Sequence, residues 1–183
     1  GATIGRFANR IKNNTFTLDS IRYRISRDPY TLKDTPNKPY DERVWDFDTR
    51  DGAEPELTLS LIDRNGTMGF PGTLRVRVTF KLTRDNILRM TYRAVSDKTT
   101  VVSMTNHAYF NMAGDLSGPV LDQLLTVNAD RITVVDEQNV PTGEMKAVAG
   151  TGFDYRKDLD SLALAFRDGD VYFAAQGHFE WQK

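Results

Sequence analysis

The chain has 183 residues, 39% hydrophobic and 27% charged, a composition that supports one packed domain and excludes disorder or a fibrous repeat. Its 24 Lys and Arg against 25 Asp and Glu give a formal net charge of -1, which argues against nucleic-acid and membrane-surface partners, since both select a basic excess. Cys is absent and His occurs twice, so disulfides, thiolate nucleophiles and Cys- or His-rich metal sites are excluded. No apolar run approaches the roughly 20 residues of a membrane span. No signal-like segment opens the chain, and a cytoplasmic location is the expectation.

The first segment, Gly1-Ala2-Thr3-Ile4-Gly5-Arg6, reads like the inside of a domain. Thr15 to Leu18 and Ile21 to Ile25 flank Asp19-Ser20, with Phe16, Leu18, Ile21, Tyr23 and Ile25 apolar at period two, which predicts a hairpin. Residues 27–55 hold Pro29, Pro36, Pro39 and Pro55 among charges and read as a long loop. Leu57 to Leu61 alternates as a strand and stops at the turn signal Asp63-Arg64-Asn65-Gly66. Leu74 to Leu82 is the clearest strand, with five apolar residues on one face and Arg, Arg, Thr and Lys on the other. Arg84-Asp85-Asn86 turns it into Ile87 to Ala94, and strands over 101–105, 124–127 and 131–134 continue the series. The one candidate helix is short, over 158–167. All-β architecture, a sandwich or barrel of short strands, follows from that spacing.

Two clusters carry potential chemistry. Thr105-Asn106-His107-Ala108-Tyr109-Phe110-Asn111 groups amide, imidazole and phenol side chains at a predicted strand end. Alternation would put His107, Tyr109 and Asn111 on one face, and His is the side chain best suited to proton transfer near neutrality. The same residues also suit a polar turn in which His and Tyr are simply satisfied. In Gly5-Arg6-Phe7-Ala8-Asn9-Arg10-Ile11, an extended chain would put Asn9 and Ile11 on one side and Arg6, Ala8 and Arg10 on the other. An Arg fork and an Asn amide suit gripping vicinal hydroxyls, and a solvated Arg pair beside a turn is the plainer alternative. The segments 69–74 and 134–144 read as turns set by Pro and Gly, the former purely structural.

GATIGRFANRI, GFPGTL, TNHAYFN, NADRITVVDEQNVPTGE and GTGFDYRK, in this order and spacing across residues 1–157, resemble the aldose 1-epimerase (galactose mutarotase) family. The resemblance is to the middle portion of a family member, with N-terminal strands and the C-terminal catalytic Glu region missing. It implies an antiparallel β-sandwich of the galactose mutarotase-like type, here an incomplete one, as a single domain over 1–183 with a divergent tail over 158–183. It also implies a hexose such as galactose or glucose in a cleft, and no metal or organic cofactor. In the family a carboxylate takes the proton of the anomeric hydroxyl while a His protonates the ring oxygen. His107 matches that general acid, Asn9 and Arg10 match sugar-contacting positions, and Tyr109 is a further neighbour.

The chain departs from the family pattern at defined places. Lys33, in Thr31-Leu32-Lys33-Asp34-Thr35, stands where a sugar-binding His of a TLHGG-like segment would be, and a flexible ammonium does not replace an imidazole. Thr67-Met68 replaces an acidic pair before GFPG, and residues 158–183 match none of the motifs that hold the general-base Glu. Glu180, beside His178 and Trp181, is the stand-in to test first. A sandwich lacking strands exposes edges, which predicts a homo-oligomer or a partner chain. Three readings follow: an epimerase, a degenerate or truncated homologue that binds carbohydrate or self-associates without turnover, and a structural β-domain indifferent to sugar.

Overall fold

Alternating apolar residues set the strands, and tight turns set their register. The computed structural model describes residues 1–26, 38–120, 123–156 and 179–182. Among them every paired strand is antiparallel and every helix is a three-residue 3₁₀ turn. No helix among the described residues is long and apolar enough to cross a membrane. The chain divides into two compact units, Gly1–Ala108 and Tyr109–Lys183. The candidate helix at 158–167 and the segment 31–35 with Lys33 lie outside the described residues.

In the first unit, β1 (Thr3–Ile4) precedes the expected hairpin of β2 (Thr15–Leu18) and β3 (Ile21–Arg24). Asp19 and Ser20 sit at φ of 49° and 63°, the left-handed pair that lets a two-residue turn follow the strand twist. Phe16 stacks on Tyr23 across the hairpin at 5.3 Å and on Phe70 at 6.0 Å. Gly69 is required beside the open end of this hairpin: its φ is 87°, and an added Cβ would meet the Arg24 carbonyl oxygen.

The main sheet runs β4 (Asp46–Arg50), β5 (Glu56–Asp63), β6 (Leu74–Leu82) and β7 (Leu88–Ser96) in spatial order. β4 lies inside the stretch 27–55 that the sequence suggested was loop. Its charges, Asp46, Asp48 and Arg50, mark an edge strand rather than a loop. The register aligns Leu61, Val76 and Ala94, and Leu59, Val78 and Tyr92, on one face. Leu61, Leu74, Val76 and Val78 are buried there with Tyr40, and Trp45, Phe80, Met104 and the two β7 side chains pack around them. Each such buried aliphatic side chain contributes about 1.5–3 kcal/mol. The apolar face of β6 is buried at Leu74, Val76 and Val78 only, and Leu82 at its far end is exposed. The opposite face is charged, with Lys81 bridging Glu54 and Glu56 and Arg50 pairing with Glu56.

The Tyr92 hydroxyl is buried without a hydrogen-bond partner among the described residues, and burial pushes its pKa up. Tyr92→Phe is therefore expected to raise stability by about 1 kcal/mol, the scale of one unmade buried hydrogen bond. A urea midpoint that falls instead would show that the hydroxyl is satisfied.

β8 (Thr105–Asn106) pairs with β1, so the strand expected over 101–105 shrinks to its last residue plus Asn106. In the second unit β9 (Leu124–Val127) pairs with β12 (Phe179–Gln182), and β10 (Arg131–Val135) forms a hairpin with β11 (Pro141–Ala147). Among the described residues Leu125, Val127 and Tyr155 form a buried cluster there.

Candidate functional site

The two motif segments of the first unit lie side by side. β1 and β8 pair Thr3 with Asn106 and Ile4 with Thr105, and the His107 amide donates to the Ala2 carbonyl at 2.8 Å. Beyond β1 an isolated bridge of parallel sense joins Phe7 to Ser103: the Ser103 amide donates to the Arg6 carbonyl at 3.0 Å, and the Ala8 amide donates to the Ser103 carbonyl at 2.6 Å. The backbone leading into Asn9 and Arg10 is thus stitched to the backbone leading into His107.

Alternation fails at both ends of that ladder, for identifiable reasons. Asn9 has φ of 61°, so the chain is not extended through it, and the two-sided pattern expected for Arg6, Asn9 and Arg10 does not hold. Arg6 is buried, Arg10 half-buried and Asn9 exposed. β8 ends at Asn106, whose side-chain oxygen accepts from the Ala108 amide at 2.8 Å, an Asx turn that takes the chain out of the strand. The shared face expected of His107, Tyr109 and Asn111 is therefore not set by a strand. His107 is exposed at the end of the first unit, and Tyr109, 89% exposed, opens the second.

Arg6 fills the centre of the first unit. Its side chain is 0% exposed and lies 2.7 Å from the Asp63 carboxylate, itself 2% exposed. Nε donates to Asp63 Oδ2 at 2.9 Å, one terminal nitrogen to the Pro71 carbonyl at 2.7 Å and Thr100 Oγ1 at 3.0 Å, and the other to the Gly72 and Asp63 carbonyls at 3.1 and 3.3 Å. The GFPG turn, which the sequence suggested was structural, supplies two of these acceptors. Tyr40 donates its hydroxyl to Asp63 Oδ2 at 3.0 Å, and Arg43 donates to Asp63 Oδ1 at 2.7 Å. Burial first, and the Asp63 charge second, hold the Tyr40 phenol well above its ordinary pKa, so it stays a donor. Trp45 meets the Tyr40 ring edge-on at 5.6 Å and donates its indole N–H to the Tyr40 carbonyl at 2.9 Å. Gly5 has to lack a side chain here, since a Cβ would run into the Tyr40 ring.

In the second unit the polar groups of three motifs are committed to loop structure. Asn111 accepts from the buried Gln123 side chain at 2.6 Å and donates to Ser117 Oγ and the Gly118 carbonyl, both at 3.1 Å. Asp136 accepts from the Gln138 and Val140 amides, both at 3.0 Å, which closes the β10–β11 hairpin. Arg156 grips Asp154 with two nitrogens at 2.7 and 2.6 Å and Asp130 with the third at 2.8 Å. The backbone of β12 places Glu180 opposite Thr126. Sequence reasoning singled out neither Asp63 nor Gln123 for these roles. No group of His, Cys, Asp and Glu among the described residues could hold a metal ion.

Chemically, the first unit offers an exposed imidazole and an Arg–Asn pair on two joined segments. An imidazole suits proton transfer, and an Arg–Asn pair suits binding hydroxyls. A family model described as aldose 1-epimerase matches residues 1–165. The galactose mutarotase of Sus scrofa is 37% identical over 166 residues, covering 87% of this chain and 46% of that protein. The aldose 1-epimerase of Escherichia coli K12 is 40% identical over 158 residues, covering 85% and 44%. Among solved structures, an aldose epimerase homologue from C. elegans superposes with a TM-score of 0.74 at 32% identity, covering 93% of this chain and 51% of that one. A galactose 1-epimerase from Lactobacillus acidophilus gives 0.73 at 29% identity, covering 99% and 57%. The chain spans about half the length of the relatives it matches.

Proposed function

The chain belongs to the aldose 1-epimerase family, and from that premise we propose that it interconverts the α and β anomers of a hexose such as galactose or glucose. A carboxylate takes the proton from the anomeric hydroxyl, and His107 protonates the ring oxygen. The bond between C1 and the ring oxygen breaks as C1 becomes a carbonyl. Rotation about C1–C2 and closure on the other face, with both protons returned, gives the other anomer. Asn9 and Arg10 hold the sugar hydroxyls. The observation that carries this reading is the ladder joining residues 2–8 to 103–107, which ties the His107 segment to the Asn9–Arg10 segment. Anomer exchange measured by NMR on galactose and glucose tests it.

Arg10→Ala is expected to weaken hexose binding by about 1–3 kcal/mol, the scale of a lost charge-assisted hydrogen bond. A calorimetric sugar titration unchanged by the substitution would remove Arg10 from the site.

A second reading is a homologue that binds sugar without turnover. Lys33 in place of a sugar-binding His favours it. Glu180 is the first carboxylate to substitute if turnover is found. We also propose that the chain self-associates through strand edges. β4 and β7 are the two ends of the main sheet among the described residues, and such edges pair readily. A monomer mass from light scattering at micromolar concentration would contradict this.

A further inference from the structure

We propose that Arg6, locked by Asp63, is a positioning residue that fixes the ladder on which both halves of the candidate site are built; this rests on the epimerase reading above. The side chain and main chain of Arg6 do separate jobs. The side chain is anchored at the end of β5, on the Pro71 and Gly72 carbonyls and on Thr100. The main-chain carbonyl takes the Ser103 amide, and the Ala8 amide donates to the Ser103 carbonyl, the two bonds of the bridge that extends the β1–β8 pairing.

Asn9 and Arg10 follow that bridge directly in one segment, and His107 lies four residues past Ser103 in the other. β1 and β8 are two residues long each, too short to hold a register by pairing alone. What fixes the spacing is the buried guanidinium, which forms bonds in one plane and with defined direction. Asp63 is itself held by Tyr40 and Arg43, so the anchor does not shift with Arg6 alone. The network acts through the backbone it holds.

Arg6→Lys keeps the charge and loses the planar fork, and Thr100→Val removes one acceptor without leaving a buried charge unpaired. Two readouts are taken on the full chain. The first is amide hydrogen exchange at Ala8, Ser103 and His107, compared with the β5–β6 ladder at Leu61 and Val78. The expected result is exchange faster by roughly tenfold at the first three amides in Arg6→Lys. Thr100→Val should change in the same direction by less, with Leu61 and Val78 unchanged. Equal acceleration everywhere, or none, would overturn the anchor. The second readout is anomer exchange of galactose. A kcat lowered by ~10–100-fold with a smaller change in KM is expected, as for a misplaced catalytic group. An unchanged kcat in a chain whose ladder has loosened would overturn the positioning role. A wild-type chain that neither binds nor turns over sugar would instead refute the epimerase reading and the catalytic part of this proposal, and the exchange data alone would then decide the anchor.

Discussion

Asp63→Ala is expected to cost about 3–5 kcal/mol of folding stability, the range for removing one partner of a buried ion pair. The size follows from burial: the Arg6 and Asp63 side chains are 0% and 2% exposed, so no water replaces the lost carboxylate. Arg43, at 18% exposure, can turn outward and recover solvation, but Arg6 cannot. The Tyr40 hydroxyl loses its acceptor as well, which adds the cost of an unsatisfied buried donor. Replacing both charges, in an Arg6→Met and Asp63→Leu double variant, removes the bare cation but leaves the Pro71 and Gly72 carbonyls without their donor. That variant should therefore recover only part of the loss. Urea denaturation of the two variants measures both quantities, and a loss below about 1 kcal/mol for Asp63→Ala would put the pair in the class of surface salt bridges.

His107→Ala should separate chemistry from folding in the opposite way. General acid catalysis by a positioned side chain is worth about 10²–10⁴-fold in rate, so any epimerase activity should fall to near the solvent rate. The exposed imidazole adds little to the core, and the main-chain bond from the His107 amide to Ala2 does not need the side chain. Stability should then change by less than about 0.5 kcal/mol, as for most surface substitutions. Retained turnover in a folded variant would remove His107 from the acid role.

The parts of the fold visible in the sequence are those where local pattern and burial agree. β6 alternates cleanly, and the Asp19-Ser20 turn carries residue types that tolerate left-handed backbone. β4 escaped notice because an edge strand keeps its charges, and prolines on either side imitate a loop. Asp63 was taken as the first residue of a turn. Its register tells more, since it continues the face of Leu57, Leu59 and Leu61 and pairs with the buried Leu74. A carboxylate on that face requires a buried cation, which is a signal the alternation already contained. That the cation is Arg6 could not be read, because the two are 57 residues apart. The role of GFPG was equally hidden, since its contribution comes from main-chain carbonyls rather than side chains. At the candidate site, the motifs identified the segments and the family. The alternation argument does not apply there, because Asn9 and Asn106 both bend the backbone through conformations that a strand pattern does not anticipate.

The most direct test of the account is the rate of α-to-β interconversion of galactose and glucose, measured by exchange NMR with this chain and with its His107→Ala variant. The account predicts acceleration over buffer with the chain and a return to the buffer rate with the variant. Interconversion at the buffer rate in both samples would contradict it and leave a family member that does not turn sugar over.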